Sequence, residues 1–331
     1  MSPGRLLLFG FAINPDVRGL PAAVADLSGT ADSRAVARDL FATGVVREVA
    51  SARSAQELRT LLDRGEIRIG VLIPPDFARR RIDGREALQI VVDGSDTSVQ
   101  AAARQLAALP LDGAWRPGGG AISVLPLYNP DRRAAVNIVP GLIGVILTMT
   151  MVMFTAMAIV RERERGNLEL LITTPVTSAE LMIGKVLPYV AVGLVQTTVV
   201  VALGVAVFAV PIRGALHAVY AAAVLLILAN LALGLLVSTR AKTQFQAMQI
   251  TFFLFLPSIL LSGFMFPFDG MPRAAQWIAE ILPLTHFVRL IRGVMLRGAD
   301  LGQLWPDVLA LVAFTAATMT LAIARFRKRL D

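Results

Sequence analysis

Hydrophobic and polar positions follow two different patterns along this chain. Between residues 20 and 110, short β-like runs alternate with segments of helical periodicity. The pattern predicts strands at 21–27, 45–50, 67–73 and 88–93, and helices at 33–43, 54–64, 75–81 and 95–109. This βα alternation indicates a small α/β domain. A glycine-rich break at 117–120 precedes one more strand-like stretch at 122–128.

From residue 137 onward the pattern changes to long apolar runs. They cover 137–160, 186–212, 214–239, 243–268 and a shorter stretch at 306–324, and the first four contain no Lys, Arg, Asp or Glu. A helix of about 20 residues crosses a bilayer. Core helices of soluble proteins rarely run this far without a charge, because one face normally meets water. The runs therefore predict five membrane spans.

Composition and charge support a membrane protein and argue against a nucleic-acid binder. The chain has 331 residues, 17% of them charged, a mean hydropathy of +0.65 and a net charge of +8. Residues 14–136 hold sixteen arginines and fifteen acidic residues, so most of the excess positive charge lies beside apolar runs. Basic residues in such places indicate membrane orientation. With no cysteine, the chain can form neither a disulfide nor a thiolate metal site.

The three lysines fix an orientation for the spans. Lys185, Lys242 and Lys328 all lie at ends of apolar runs, and the positive-inside rule places all three, and hence the C-terminus, in the cytoplasm. Residues 14–136 are then extracytoplasmic. Leu6–Ile13 is apolar but too short to span. We interpret it as the remnant of a first span, in preference to a cleaved signal peptide, which would need a prompt cleavage site.

The expected fold is thus a polytopic α-helical membrane protein with five full spans and a first-span remnant. An extracytoplasmic α/β domain is inserted between the first and second spans. The predicted domains are 1–13 for the remnant, 14–136 for the α/β domain and 137–331 for the membrane domain, with a cytoplasmic loop at 161–185.

The sequence predicts no catalytic or metal site. Residues 14–136 contain no histidine, which excludes a Ser-His-Asp triad there. Asp93–Asp96 reads DGSD and lacks the further acids of a calcium loop, so it predicts a turn with a helix N-cap at Ser95. Gly184-Lys185 is followed by Val186 and does not form a phosphate-binding loop.

Polar residues within the spans are few. Gln196, Asn230, Gln246 and Gln249 predict interhelical hydrogen bonds more than substrate contacts. In the proline-interrupted stretch at 263–288, which we expect to dip back from the outer surface, Glu280 and His286 predict interfacial polar groups in preference to a proton site.

The most informative stretch directly follows the first full apolar run. It reads RERERGNLELLITTPVTSAELMIGK, from Arg161 to Lys185. Charges of both signs precede a glycine, and a short amphipathic segment then stops at Thr174-Pro175. Composition alone favours a solvated charge run at the membrane boundary. The alternative is a short helix at the inner surface that offers ionic and apolar faces to a partner.

This stretch resembles the loop of the type-two permease family of ABC exporters, R-E-R-E-x-G-T-L-E-x-L-L-x-T-P…E-x-x-x-G-K, with Asn167 replacing the usual Thr. Three weaker stretches also resemble the family, in the expected order. They are LLLFGFAIN at 6–14, Tyr128-Asn-Pro130 followed by Pro140-Gly141, and Leu282–Thr285 with the arginines at 289 and 292. The resemblance covers essentially the whole chain, except that the first helix and the amphipathic lead before it are missing.

The resemblance implies a permease subunit of an ABC exporter in the bacterial inner membrane. It would move a hydrophobic or amphipathic substrate, such as a drug, a lipid or a lipid-linked glycan. The implied partners are an ABC ATPase subunit, a second permease half (homo- or heterodimer) and the lipid bilayer, with no nucleic acid. ATP and Mg would bind the ATPase and not this chain. The loop residues implied to contact the ATPase are Arg161, Glu162, Arg163, Glu164, Arg165, Gly166, Asn167, Glu169, Thr174, Pro175 and Glu180.

Two other hypotheses remain open from the residues themselves. An ion-coupled secondary transporter would normally carry ionisable side chains at membrane depth. The first four runs contain no Lys, Arg, Asp or Glu and only one histidine, His217, near the outer end of its run. A membrane-anchored sensor or assembly factor would use the α/β domain to bind a ligand and the spans only as anchors. The sequence does not identify the substrate or its site.

Overall fold

The computed structural model describes residues 18–108, 122–131, 133–166 and 178–325. The side chains of Thr97 and of residues 178–183 are not described. The chain divides into two compact units. One unit contains the residues up to Asn137, joined by two later segments at Phe266–Pro272 and Leu296–Ala299. The other contains the remaining residues, including all the long apolar helices. The stretch Leu6–Ile13, predicted to be the remnant of a first span, lies outside the described residues.

The first unit is an α/β domain, as the alternation predicted, and its elements lie within two residues of the expected positions. In chain order they are β1 (Leu20–Asp26), α1 (Ala31–Ala42), β2 (Val46–Ser51), α2 (Ala55–Asp63), β3 (Ile69–Ile73), α3 (Phe77–Ile82), β4 (Leu88–Asp93), α4 (Thr97–Ala108) and β5 (Ile122–Leu127).

These strands form one mixed sheet in the order β2-β1-β3-β4-β5. Strand β1 runs parallel to β2 and β3, and β4 runs parallel to β5, whereas β3 and β4 are antiparallel. Both faces are covered. Leu20, Ala22 and Val24 point into one core with helix α1, while Ala23 and Ala25 point into a second core with helix α2. The two-residue period of a strand explains this division.

Local capping explains where the domain helices begin. Ser54 accepts a hydrogen bond from the backbone N of Glu57 at 3.1 Å and caps α2, as the sequence predicted. The predicted cap at Ser95 is wrong. Ser95 donates to the Asp93 carboxylate, and Asp96 accepts from the backbone N of Ser98 at 2.9 Å instead. The DGSD segment is therefore a turn, but its capping residue is Asp96.

Five helices of the second unit are long and apolar enough to cross a membrane. They are α5 (Ala134–Glu164), α6 (Ser178–Ala206, of which Gly184–Ala206 is the candidate span), α7 (Leu216–Ser238), α8 (Gln244–Leu261) and α11 (Trp305–Arg325). Two apolar runs continue beyond the helices that they contain. Helix α6 ends before Pro211, and α8 ends before Gly263, which has a φ of 79°.

Helix α7 lies at the centre of this unit and contacts α6, α8, α10 (Pro283–Arg292) and α11. The side-chain amide of Asn230 in α7 donates to Thr148 of α5 at 3.1 Å, and Thr150 donates to Gln196 of α6 at 2.9 Å. The interhelical role predicted for Asn230 and Gln196 is confirmed. The same prediction is wrong for Gln246, which accepts from the backbone N of Lys242 and so binds its own helix end.

Short helical segments separate α8 from α11, as the prolines of this stretch suggested. A single 3-10 turn at Phe268–Gly270 is followed by α9 (Arg273–Ile281) and α10, and a π-helical turn at Gly293–Arg297 continues α10. Pro283 occupies the start of α10, where its missing N–H costs nothing.

Candidate functional site

The charged motif lies at the C-terminal end of α5, immediately after the apolar part of that helix. Arg161, Arg163 and Glu164 belong to its last turn. Gly166 ends the helix in a left-handed conformation with a φ of 71°, and its N–H donates to the carbonyl of Arg163 at 3.1 Å. A glycine in this place closes a helix without the steric cost that a Cβ would add.

Arg163 binds the end of the central helix α7. Its Nη1 donates to the carbonyl oxygens of Ser238 and Ala241, each at 3.1 Å. The last carbonyls of a helix have no partner within the helix and carry its partial negative charge. The guanidinium therefore satisfies carbonyls at and just beyond the C-terminus of α7, and its charge has the favourable sign there.

Glu164 binds the beginning of α8. Its carboxylate accepts from the backbone N of Gln244 at 3.0 Å and also from the Gln244 side-chain amide. Gln244 is the first residue of α8, and Thr243 caps this helix by accepting from the N of Gln246 at 3.1 Å. An anion at a helix N-terminus is favourable because the free N–H groups and the helix dipole both attract it.

The remaining loop residues have mixed positions. Arg161 donates to the side-chain oxygen of Gln244 at 3.3 Å, and Glu162 pairs with Lys185 of α6. Arg165 and Gly166 are exposed. Of the predicted contact residues, Asn167, Glu169, Thr174 and Pro175 lie outside the described residues, and Glu180 is described only as helical backbone in α6.

Sequence reasoning missed the partners on the other side of these contacts. Gln244 and the carbonyls of Ser238 and Ala241 lie about 80 residues from the motif and carry no charge. The available signal was the short polar connection between two apolar runs, which holds Arg240 and Lys242. These two charges indicate the orientation of the spans, but they do not identify the uncharged groups near them as partners of the motif.

An apolar cavity of about 320 Å³ lies between α5 and α8. Its walls are methionine and phenylalanine side chains with two polar groups, namely Met149, Met153, Phe245, Met248, Gln249, Thr251, Phe252, Phe253 and Phe255. This volume and this apolar lining are typical of pockets for small molecules. Methionine side chains adapt to irregular shapes, which favours a cavity that accepts more than one ligand. Gln249, predicted as an interhelical hydrogen-bonding group, lines this cavity.

A second polar cluster joins α9, α10 and the start of α11. The Arg289 guanidinium donates to both carboxylate oxygens of Glu280, at 2.6 and 3.1 Å. The ring of His286 lies between Asp307, 2.9 Å from its Nδ1, and the carbonyl of Glu280, 2.8 Å from its Nε2. Sequence reasoning singled out Glu280 and His286 and missed Arg289 and Asp307 as their partners.

The surroundings of His286 favour its charged form. Both ring nitrogens face oxygen acceptors, which only the doubly protonated ring can satisfy together. Burial opposes the charge, but the hydrogen bonds to Asp307 and to the Glu280 carbonyl outweigh it and raise the pKa of His286 above its usual value. Among the described residues, no group of three or more His, Cys, Asp or Glu side chains is arranged to hold a metal ion.

The α/β unit contains a buried ionic cluster of its own. The Asp93 carboxylate lies 3.2 Å from Arg68 and 3.8 Å from Arg297 of the joined segment 296–299, and Ser95 also donates to it. Burial alone would raise the pKa of Asp93, but the two guanidinium groups and Ser95 outweigh it and lower this pKa. The cluster ties a late segment of the chain to the end of β4.

A family model described as "ABC-2 family transporter protein" matches residues 6–324 of the chain. This chain belongs to the ABC-2 transporter family. The predicted resemblance to type-two ABC permeases is confirmed, and so is the permease hypothesis. As an ABC-2 permease, the chain is the transmembrane subunit, which itself lacks ATPase activity.

Three named relatives align with most of the length of this permease. The chain is 31% identical to the probable multidrug ABC transporter permease YbhR of Escherichia coli (strain K12), over 98% of this chain and 91% of the relative. It is 31% identical to the probable multidrug ABC transporter permease YbhS of the same organism, over 83% and 77%. The inner membrane transport permease YhhJ, also of this strain, is 30% identical over the same shares.

Proposed function

We propose that this permease forms the membrane half of an exporter that moves hydrophobic or amphipathic small molecules out of the cytoplasm. The single observation that carries the substrate class is the cavity between α5 and α8, which is lined by methionine and phenylalanine with Gln249 and Thr251 as its polar groups. The names of YbhR and YbhS, probable multidrug permeases, support the same class.

Energy would come from a separate ATPase subunit that docks on the loop at 161–185. The family membership supports this, because ABC permeases work with such a subunit. Arg165 and Gly166 are exposed and can contact the ATPase. The other proposed contact residues follow them in the sequence, from Asn167 to Glu180. On this proposal the loop is cytoplasmic, the α/β domain is extracytoplasmic, and a second permease half completes the transport path. The name of YhhJ supports the bacterial inner membrane as the location.

The test is co-expression of the permease with each ABC ATPase found encoded near it, followed by reconstitution. We expect the ATPase to co-purify and a fluorescent amphipathic amine to enter inside-out vesicles only when ATP and Mg²⁺ are supplied. Reversing one docking charge, with Arg165→Glu, should weaken co-purification and leave membrane insertion intact. Vesicles that show no nucleotide-dependent uptake with any neighbouring ATPase would refute the exporter proposal.

The cavity is tested within the same vesicles. Phe252 lines it and Leu256, one helical turn further along α8, does not. We expect Phe252→Ala to raise the KM for the amine about tenfold, which corresponds to about 1.4 kcal/mol of lost aromatic contact with the bound amine. The control Leu256→Ala removes apolar surface from the same helix and should leave KM unchanged. Equal effects of the two substitutions would contradict the cavity as the binding site.

A further inference from the structure

Two neighbouring charged side chains at the end of α5 reach two different helix ends. Arg163 bridges the carbonyls of Ser238 and Ala241 at the C-terminus of α7, and Glu164 holds the N-terminus of α8 through Gln244. Each charge has the sign that its helix end attracts. The motif therefore does more than mark a membrane boundary, since it binds both the end of α7 and the start of α8.

We infer that Arg163 and Glu164 are positioning residues that link the loop at 161–185 to α8, so that a displacement of this loop moves the aromatic wall of the proposed substrate cavity. The inference rests on the proposed function, because it assumes that an ATPase displaces the loop. It assigns to these two residues a role within the permease chain, which is separate from any contact that they make with the ATPase.

The path from the link to the cavity is short and continuous. Gln244 begins α8, and Phe252 lies eight residues later in the same helix, about 12 Å away at 1.5 Å per residue. The other wall of the cavity, Met149 and Met153, belongs to α5 itself. A helix transmits an axial push or rotation over two turns with little deformation, because backbone hydrogen bonds join each turn to the next.

Packing beside the link joins the same three helices. Val152, Ala156 and Val160 of α5 form one buried cluster with Val237 and Ala241 at the end of α7 and with Ala247 of α8. This apolar cluster keeps the helix ends together, but it is non-directional. The hydrogen bonds of Arg163 and Glu164 are directional. They attach the end of α5 to particular groups at the end of α7 and the start of α8, so these groups move when the end of α5 moves.

A double-mutant cycle in the reconstituted exporter tests the link. The variants are Glu164→Ala, Gln244→Ala and the two together, and the readings are the amount of co-purified ATPase, the rate of ATP hydrolysis and the amine transported per ATP. We expect Glu164→Ala, which removes both hydrogen bonds, to lower transport per ATP about five- to tenfold. Gln244→Ala keeps the backbone bond to Glu164 and should lower it less. Co-purification and hydrolysis should persist. The double variant should be no worse than Glu164→Ala, because Glu164→Ala already removes the side-chain bond that Gln244→Ala removes.

Conservative and control variants separate this role from a general loss of structure. Glu164→Gln keeps an oxygen that can accept from the backbone N of Gln244, and it should restore most of the transport lost in Glu164→Ala. Arg240 lies in the same connection and is exposed, so Arg240→Ala should transport as the unmodified protein does.

Additive losses in the double variant, or normal coupling in Glu164→Ala, would overturn the inference while leaving the exporter proposal intact. Failure of the proposed function has a different signature, which is the absence of nucleotide-dependent transport in the unmodified protein.

Discussion

Single charged residues in this permease are stabilised by several acceptors or donors at once. His286 is an example, since its two ring nitrogens face the Asp307 carboxylate and the Glu280 carbonyl. The other charged groups around it are the Glu280 carboxylate, 3.7 Å from the ring, and Arg289, which also approaches Asp307 at 3.7 Å. The negative groups favour a charged ring and Arg289 opposes it. The hydrogen bonds of the ring make the net change in the pKa of His286 an increase.

This arrangement predicts a pH dependence of stability. Because the pKa of His286 is raised in the folded protein, its stabilising effect is fully present below the unfolded value of about 6.5 and is lost as pH rises through the folded value. We expect the melting temperature of the unmodified permease in detergent to exceed that of His286→Gln at pH 6, with the difference shrinking toward pH 9. His217→Gln is the control, as it replaces the other histidine of the chain. A gap that grows with pH would contradict the assignment.

At the scale of elements, close helix contacts depend on small residues. Gly234 of α7 faces α5 so closely that a Cβ there would lie 2.8 Å from the carbonyl oxygen of Val152 and 2.8 Å from the Cβ of Thr155. Both atoms belong to rigid parts of the chain, so they cannot move aside cheaply. Small residues at such crossings allow membrane helices to approach closely.

The substitution Gly234→Ala should therefore force α5 and α7 apart. We expect it to destabilise the permease by about 1–3 kcal/mol, the usual cost of overpacking, measured as a lower melting temperature in detergent. Gly184→Ala is the matched control, because a Cβ at Gly184 meets nothing within 4 Å and alanine favours a helix. If both variants have the same melting temperature as the unmodified protein, the close contact is not structurally important.

Elements were also the scale at which the sequence predicted the fold best. Short apolar runs and helical periodicity located every described strand and helix of the α/β domain within two residues, because the central strands are buried on both faces and each helix buries one face. Two things were not readable. The antiparallel pairing of β3 with β4 depends on topology, and the end of α8 before Gly263 lies inside an apolar run that gives no contrast.

The candidate site was only half predictable for a related reason. Charges and the glycine of the loop stand out in a sequence, so Arg163 and Glu164 were found. Their partners are backbone carbonyls and a glutamine from another part of the chain, and such groups carry no distinctive signal. The cavity was missed because phenylalanine and methionine in a span look the same whether they face lipid, protein or a ligand.

At the scale of the whole molecule, the α/β unit is not a continuous stretch of sequence. It includes Leu296–Ala299, which begins within the π-helical turn at Gly293–Arg297. Arg297 is 6% exposed, and it shares the fully buried Asp93 with Arg68. Burying these charges is favourable only while they compensate each other, and removing one partner of such a cluster commonly costs about 3–5 kcal/mol.

Asp93→Asn should therefore release the late segment from the domain. The amide keeps the size and one acceptor oxygen but no longer neutralises two guanidinium groups. We expect faster hydrogen exchange at 296–299 and at the end of β4, while exchange in α7 is unchanged.

In the unmodified protein the pKa of Asp93 is lowered. The stabilisation that the Asp93 carboxylate gives is therefore complete above the unfolded pKa of about 3.9, and it is lost as pH falls through the folded value. The protection of these amides, measured relative to their intrinsic exchange rate at each pH, should thus fall at acidic pH as well. The control is Asp83→Asn, which alters an exposed pair with Arg85 of the kind that contributes little. Unchanged exchange at 296–299 in Asp93→Asn would show that apolar packing alone holds this segment to the domain.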